Sequence, residues 1–344
     1  SFCLEDNPAR ICEDCFTSPA NLINLDLRLI FETFCHSEAE GRRIYMQILR
    51  FAQDDTVRKC MKVYRNPKQL LALNKPLFLT IGTYDGVHRG HLKVLEGLKK
   101  RARQKIGISC FLTFKEHPQV ILHPLRHPPL ITSPLHKLVL LDQAKVDACL
   151  LLEFTKEFSQ QTPEEFVKNY LVGKLKVEEV HLGYKSRFGF HRGGDTELMA
   201  RLAKRYGFTF KETRPFTDAG TPLSSTLIRD LIQRGDLKEA SRFLGRPYSL
   251  LGTIVKGKGL GKLLGYPTAN LDIRSEIVPP KGVYAVTVNI LKLKDWIIQQ
   301  GSVVDSKPEV RGLRGVLNLG IRPTVTPNPK ELVPEVHLLD YHKN

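Results

Sequence analysis

Thr80-Ile81-Gly82-Thr83-Tyr84-Asp85-Gly86-Val87-His88-Arg89-Gly90-His91 decides how this chain is read. The apolar run Leu77–Ile81 before it has the length and composition of a buried strand. It feeds a turn built on Gly82, Asp85 and Gly86, and the turn delivers His88 and His91 onto the start of a helical pattern. A strand, a tight turn and a helix N-terminus together make an anion site. Free backbone N–H groups point at the ligand and the helix dipole favours negative charge. Glycine lets the chain come close to a bound phosphate. A plain strand–helix connection with two surface histidines is the bland alternative; context and spacing favour the phosphates of a nucleotide.

Outward from this stretch, apolar runs alternate with helical patterns between Lys75 and about Glu212. Strands are expected at Leu77–Ile81, Ile108–Phe114, Ala148–Phe154, Val177–Leu182 and Phe208–Lys211. Helices are expected at His91–Lys105, Leu135–Lys145 and Thr196–Tyr206. Thr162-Pro163-Glu164-Glu165 is a helix start, with Thr as cap, Pro at the first position and Glu three after the cap. The alternation implies an α/β domain with a parallel, Rossmann-like sheet. Ligands of such a sheet bind at the carboxyl ends of its strands, where His88 and His91 fall. Leu237–Leu244 reads as the last helix before the texture changes near Gly245. Beyond it, Leu250–Lys256, Val283–Ile290 and Gly315–Leu319 are extended and punctuated by Gly and Pro, the pattern of a C-terminal antiparallel β-barrel.

Composition sets outer bounds. A chain of 344 residues, 42% hydrophobic and 26% charged, builds about two globular domains. No apolar stretch approaches a membrane span, and no secretory signal is visible. Leu22–Phe34 is apolar but interrupted by Asp26 and Arg28. The net charge of +16 is spread along the chain, which favours a solvated basic surface that attracts nucleotides over binding of nucleic acid. Five of the seven cysteines (Cys3, Cys12, Cys15, Cys35, Cys60) lie in the first 60 residues. Cys12-x-x-Cys15 invites a zinc or redox reading, but no second Cys/His pair follows at finger spacing. The odd cysteine count and absent signal favour a reducing, cytoplasmic setting.

Residues 1–60 differ from the rest: they carry a net −3, whereas the remainder carries +19. Met61-Lys62-Val63-Tyr64 then opens the segment that leads into the nucleotide motif. Two readings stand side by side. Residues 1–60 are an appended extension ahead of a functional start near Met61, or they are a small helical subdomain in which Ile44–Phe51 forms a helix.

Further segments fit the opening motif. Phe114-Lys115-Glu116-His117-Pro118 follows the second strand; Gly183-Tyr184-Lys185-Ser186-Arg187-Phe188-Gly189 follows another. Ser224-Ser225-Thr226-Leu227-Ile228-Arg229 opens a helix whose hydroxyls and N–H groups can grip phosphate, with Arg229 adding a forked cation. In order and spacing these motifs resemble the nucleotidylyltransferases, and within them the FMN adenylyltransferase half of the bacterial bifunctional riboflavin kinase/FAD synthetases. The resemblance runs from about Met61 to the end of the sequence. It implies that His88 and His91 bind the triphosphate and stabilise charge on the transferred phosphate. It implies that Gly82, Asp85, Gly86, Ser224, Ser225, Thr226 and Arg229 hold ATP, and that His117, Gly183, Arg187 and Phe188 contact flavin or nucleotide. Three positions depart from the family pattern: Tyr84 where Phe is usual, Glu116 where Pro is usual, and Lys185 where Asp or Asn is usual. Lysine cannot accept a hydrogen bond, although it can neutralise phosphate.

A second site is expected in the barrel. The Gly-rich stretch Gly257–Gly261 precedes Gly265-Tyr266-Pro267-Thr268-Ala269-Asn270. The Pro-Thr-Ala-Asn tetrad resembles the riboflavin kinase signature, which implies that Thr268 and Asn270 hold Mg2+ and ATP phosphates, with Gly257 and Gly259 beside them. Asn318-Leu319-Gly320-Ile321-Arg322 and Glu335-Val336-His337-Leu338 follow in the family order. By resemblance Glu335 is the general base for the ribityl hydroxyl, while Asn318 and Arg322 contact flavin. The sequence ends nine residues after Glu335, where the family continues through another strand and a terminal helix, so the kinase domain reads as truncated and its reaction as the weaker one.

The domains expected are therefore an extension over 1–60, an FMN adenylyltransferase domain over 61–245 and a riboflavin kinase domain over 246–344. ATP, riboflavin and FMN are the small-molecule partners this implies. Mg2+ accompanies ATP, flavin is substrate and product, and there is room for a homo-oligomer. Two other functions fit the residues less fully: another nucleotidylyltransferase with a degenerate kinase barrel, and a basic nonenzymatic RNA-binding protein.

Overall fold

Apolar runs too short for helices, and bounded by turn residues, form strands covered on both faces. The computed structural model describes residues 21–28, 60–125, 127–218, 221–255, 268–273, 276–292, 303–321 and 332–339. Its first layer is a sheet of six parallel strands: β2 (Met61–Tyr64), β3 (Leu77–Ile81), β4 (Ile108–Phe114), β5 (Ala148–Leu152), β6 (Glu179–Gly183) and β7 (Thr209–Thr213). Their spatial order is β2-β5-β4-β3-β6-β7. From β3 the chain builds outward on one side through β4 to β5, then crosses to β6 on the other. The switch point thus lies beside β3, the place where open α/β sheets bind their ligands. Helix α1 (Arg89–Gln104) buries Val94, Leu95, Leu98 and Ala102, and α2 (Pro134–Gln143) is buried along nearly its whole length. Helix α3 (Thr196–Tyr206) ends at Gly207 in the left-handed conformation. The Thr162 capping box forms with Glu165, as its sequence predicts.

A short hairpin, β8 (Thr217–Asp218) with β9 (Thr221–Pro222), precedes α4 (Ser225–Arg234) and α5 (Leu237–Leu244). The second layer is a closed barrel. Its strands β10 (Tyr248–Val255), β11 (Ala269–Asp272), β12 (Gly282–Lys292), β14 (Val310–Ile321) and β15 (Leu332–Leu338) come from the C-terminal part of the chain. The sixth, β1 (Asn21–Arg28), lies between β10 and β12 and pairs antiparallel with both, Leu25 standing opposite Leu250 on one side and Val288 on the other. The Ile44–Phe51 helix expectation and the Cys12/Cys15 pair lie outside the described residues. The barrel core joins Leu250, Val286, Val288, Leu317, Leu319 and Val336 to Ile228, Ile232 and Phe243 of α4 and α5.

Within the stretch Leu291–Arg314 the described residues serve both sheets. Val303–Val304 forms β13, which adds antiparallel to β2 at the edge of the parallel sheet, and β14 already begins at Val310. Covering an edge satisfies its backbone groups and blocks unwanted pairing. Asp142 fastens this crossing: one carboxylate oxygen accepts from Met61 N at 2.8 Å, the other from Ser306 N at 3.0 Å. A second buried tie is Glu276, which accepts from Ser133 N at 2.7 Å and Leu251 N at 3.1 Å and lies 3.0 Å from His136 Nδ1. The barrel is thus fixed to the α/β layer by paired buried polar groups, which are costly to break singly.

Candidate functional site

At the carboxyl end of β3 the backbone leaves the sheet through a strained turn. Tyr84, Gly86 and Val87 have φ of 42°, 82° and 39°. Positive φ is unfavourable for a β-branched residue, so the turn must be held by its surroundings. The Asp85 carboxylate accepts from Ile131 N at 2.9 Å and Thr132 N at 3.0 Å. Gly86 N donates to Thr132 Oγ1 at 3.1 Å, and Ser225 Oγ donates to the Asp85 carbonyl at 2.9 Å. A Cβ on Gly82 would lie 2.7 Å from the Tyr84 ring. Glycine there lets Tyr84 fold inward, where its hydroxyl meets Thr80 Oγ1 at 2.8 Å.

The turn sets three rings in a stack. His91 lies between Tyr84 (centroids 4.1 Å) and His88 (3.6 Å). His88 is the N-cap of α1 and its Nδ1 accepts from His91 N at 3.4 Å. Both imidazoles are neutral near pH 7. Burial, then the nearby Arg246 charge, pushes His88 down to about 4; burial and then His88 hold His91 well below its ordinary range. Each neutral ring keeps one N–H that can donate at a helix N-terminus, an arrangement suited to phosphate oxygens. His117 caps the short helix Pro118–Leu122, and burial followed by the Lys137 charge lowers it to about 4. Lys137 itself is buried.

Most of the expected nucleotide residues meet here. Ser224 caps α4, Ser225 reaches the Asp85 carbonyl, and Arg229 pairs with Asp85 at 3.0 Å. Thr226 is exposed in the first turn of the same helix. Gly183 ends β6, and past it Arg187 is exposed and pairs with Asp195 at 3.2 Å. Lys185 is exposed and lies 5.2 Å from the Tyr184 ring centroid. Phe188 joins an aromatic cluster beyond the strand ends: Phe114–Phe154 4.9 Å, Phe114–Phe158 5.4 Å, Phe158–Phe166 6.0 Å and Phe166–Phe188 6.2 Å. Sequence reasoning singled out Phe188 but missed Phe154 and Phe158, as well as Lys137 and Thr132. The placement of Lys137 directly before the apolar run Leu138–Leu141 was the one available signal.

In the barrel, register brings three candidates abreast. Glu335 on β15 stands opposite Asn270 of β11 and Asn318 of β14. Directly opposed residues share a face. The alternate residues Leu271, Leu317, Leu319 and Val336 fill the core, so the three polar residues lie on the other face. Asn270 is buried and Asn318 exposed. Thr268, two positions before Asn270, immediately precedes β11. Gly257, Gly259 and Arg322 lie outside the described residues.

A model of the FAD synthetase family matches residues 71–227, and a model of the riboflavin kinase family matches residues 244–344. The bifunctional riboflavin kinase/FMN adenylyltransferase of Escherichia coli K12 is 36% identical over 262 residues, covering 76% of this chain and 78% of the relative. This chain belongs to the bifunctional riboflavin kinase/FMN adenylyltransferase family. The family member from Haemophilus influenzae is 33% identical over 266 residues, covering 77% of this chain and 80% of its own. A crystal structure from Streptococcus pneumoniae, described as a macrolide-efflux protein, superposes with TM-score 0.65 at 27% identity and covers 83% of this chain and 86% of its own. Among the described residues of this chain no helix is long and apolar enough to cross a membrane. The family's two domain models divide the chain where the parallel sheet gives way to the barrel.

Proposed function

We propose that the α/β domain transfers AMP from ATP to FMN, releasing pyrophosphate, and that the barrel transfers the γ-phosphoryl group of ATP to riboflavin, releasing ADP. The observation that carries the reading is the stacked His88/His91 pair at the N-terminus of α1, with Arg229 and the start of α4 beside it. In adenylyl transfer an FMN phosphate oxygen attacks the α-phosphorus and the bond to pyrophosphate breaks. The phosphate is already ionised, so no protein nucleophile is needed. The protein supplies position and charge neutralisation. His88 and His91 donate to the α-phosphate oxygens, Arg229 and the α4 N-terminus hold the leaving phosphates, and the aromatic cluster around Phe114 and Phe188 receives the flavin ring.

In the barrel, Glu335 takes the proton of the ribityl hydroxyl as its oxygen attacks the γ-phosphorus. Asn270, opposite Glu335, and Thr268 two positions before it offer amide and hydroxyl oxygens, the hard donors that Mg2+ selects, so this donor set fits the metal. Mg2+ would screen the phosphate charge of ATP. ATP, riboflavin and FMN are the ligands of this reading, and a cytoplasmic setting supplies all three. The test is incubation of the purified chain with riboflavin, ATP and Mg2+. FMN and FAD are the expected products. Adenylylation of a different substrate would point to another nucleotidylyltransferase, and no flavin product together with salt-sensitive RNA binding would overturn the enzyme reading.

A further inference from the structure

The junction between the two domains reaches into the phosphate turn. Helix α5 ends at Gly245, which is left-handed with φ of 76°. A Cβ there would meet the Arg89 side chain at 2.9 Å, so glycine lets the junction lie against the first turn of α1. The next residue, Arg246, aims back at the turn. Its Nη2 donates to the Gly86 carbonyl at 2.7 Å and its Nη1 to the Val87 carbonyl at 3.0 Å. Both acceptors sit at positive φ, and the residue after them is His88. A planar guanidinium can hold two carbonyls in one fixed arrangement; an ammonium cannot.

We infer that Arg246 is a positioning residue for adenylyl transfer, clamping the Gly86 and Val87 carbonyls and so fixing the turn that presents His88. The inference rests on the adenylyltransferase reading of this site. Two carbonyl dipoles beside bound polyphosphate would repel it, and the guanidinium offsets them. The clamp also accounts for a turn that its own sequence disfavours. Asp85, Thr132 and Ser225 hold one side of it, and Arg246 holds the side nearest His88. Arg246 does not touch the reacting phosphorus; it acts through the backbone.

The test compares the full chain with Arg246→Gln and Arg246→Lys in steady-state FMN adenylylation. In parallel, the His88 ring is titrated by NMR. The groups that face this ring are Arg246, Asp85 and His91. Misplacing His88 should lower kcat by roughly 10- to 100-fold in Arg246→Gln, with the KM for ATP changed less than about threefold. The same variant removes a cation from beside His88, so its titration should move to higher pH. Arg246→Lys should keep the His88 titration near wild type and recover only part of the rate. A folded Arg246→Gln with wild-type kcat, or with an unmoved His88 titration, overturns the inference. If that variant does not fold, full wild-type kcat in Arg246→Lys overturns it. A wild-type chain that makes no FAD refutes the adenylyltransferase reading, whereas the His88 titrations still decide whether the clamp acts on the ring.

Discussion

Arg229 Nη2 donates to Asp85 Oδ2 at 3.0 Å, and the two side chains are only 13% and 4% exposed. The arginine proposed for phosphate is therefore anchored by the same carboxylate that orders the 131–132 backbone. One acidic group sets the shape of the turn and the aim of the cation.

Asp85→Ala should be strongly destabilising. It leaves a nearly buried guanidinium without its carboxylate and two backbone N–H groups without their acceptor. Breaking a buried pair from one side costs about 3–5 kcal/mol. Denaturant unfolding measures the loss, and a variant within about 1 kcal/mol of wild type would show that the pair contributes little.

His91→Ala removes the central ring of the Tyr84–His91–His88 stack and one of the two proposed phosphate donors. FAD formation from FMN should fall by roughly 10²- to 10³-fold. FMN formation from riboflavin should persist, because Glu335 and Asn270 lie in the barrel. Equal loss of both reactions in a folded protein would refute two separate sites.

Glu335→Gln keeps the shape of the side chain but cannot take up the hydroxyl proton. Riboflavin phosphorylation should drop by about 10²- to 10⁴-fold, while adenylylation of supplied FMN continues. Unchanged kinase turnover would transfer the role of base to another carboxylate.

Acid should weaken the fold through its buried imidazoles. His88 is pushed down to about 4 from an ordinary 6.5, first by burial and then by Arg246. Between these values the unfolded chain binds the proton and the folded chain does not, so stability rises with pH. The contribution is complete above about 6.5 and is lost as pH falls toward 4; for His88 it is on the order of 3 kcal/mol. Urea midpoints at pH 7.5 and 5 should differ, and His88→Asn, which keeps a capping side chain, should flatten the dependence. Identical slopes for the two proteins would exclude His88 as a source.

The parallel sheet was legible because each strand carries its own signal. Leu77–Ile81 and Ile108–Phe114 are continuous apolar runs, and both strands form with those bounds. The phosphate turn was legible for the same local reason, since Gly82, Asp85, Gly86, His88 and His91 fall within ten residues. Order along the chain also identified Asn270, Asn318 and Glu335, but register between distant strands placed them side by side, and no local pattern encodes that register. Strand β13, two residues long, has too little sequence to announce itself. Arg246 was missed because its partners are backbone carbonyls, which leave no trace in side-chain spacing.

Strand β1 imposes an order of events on the molecule. Asn21–Arg28 leaves the ribosome before any other described element, yet both of its neighbours, β10 and β12, lie more than two hundred residues downstream. Closing so long a loop adds little to its entropic cost, because that cost grows only with the logarithm of length. What it adds is waiting time, since pairing between distant segments is slow. All six parallel strands of the α/β sheet, Met61 to Thr213, are synthesised in the interval and can assemble as a unit. During synthesis Arg246 therefore joins the chain only after the turn it clamps and every strand of the parallel sheet. The first strand made is then among the last to be placed, and an apolar segment such as Leu22–Leu27 must stay out of wrong pairings until its partners have been translated.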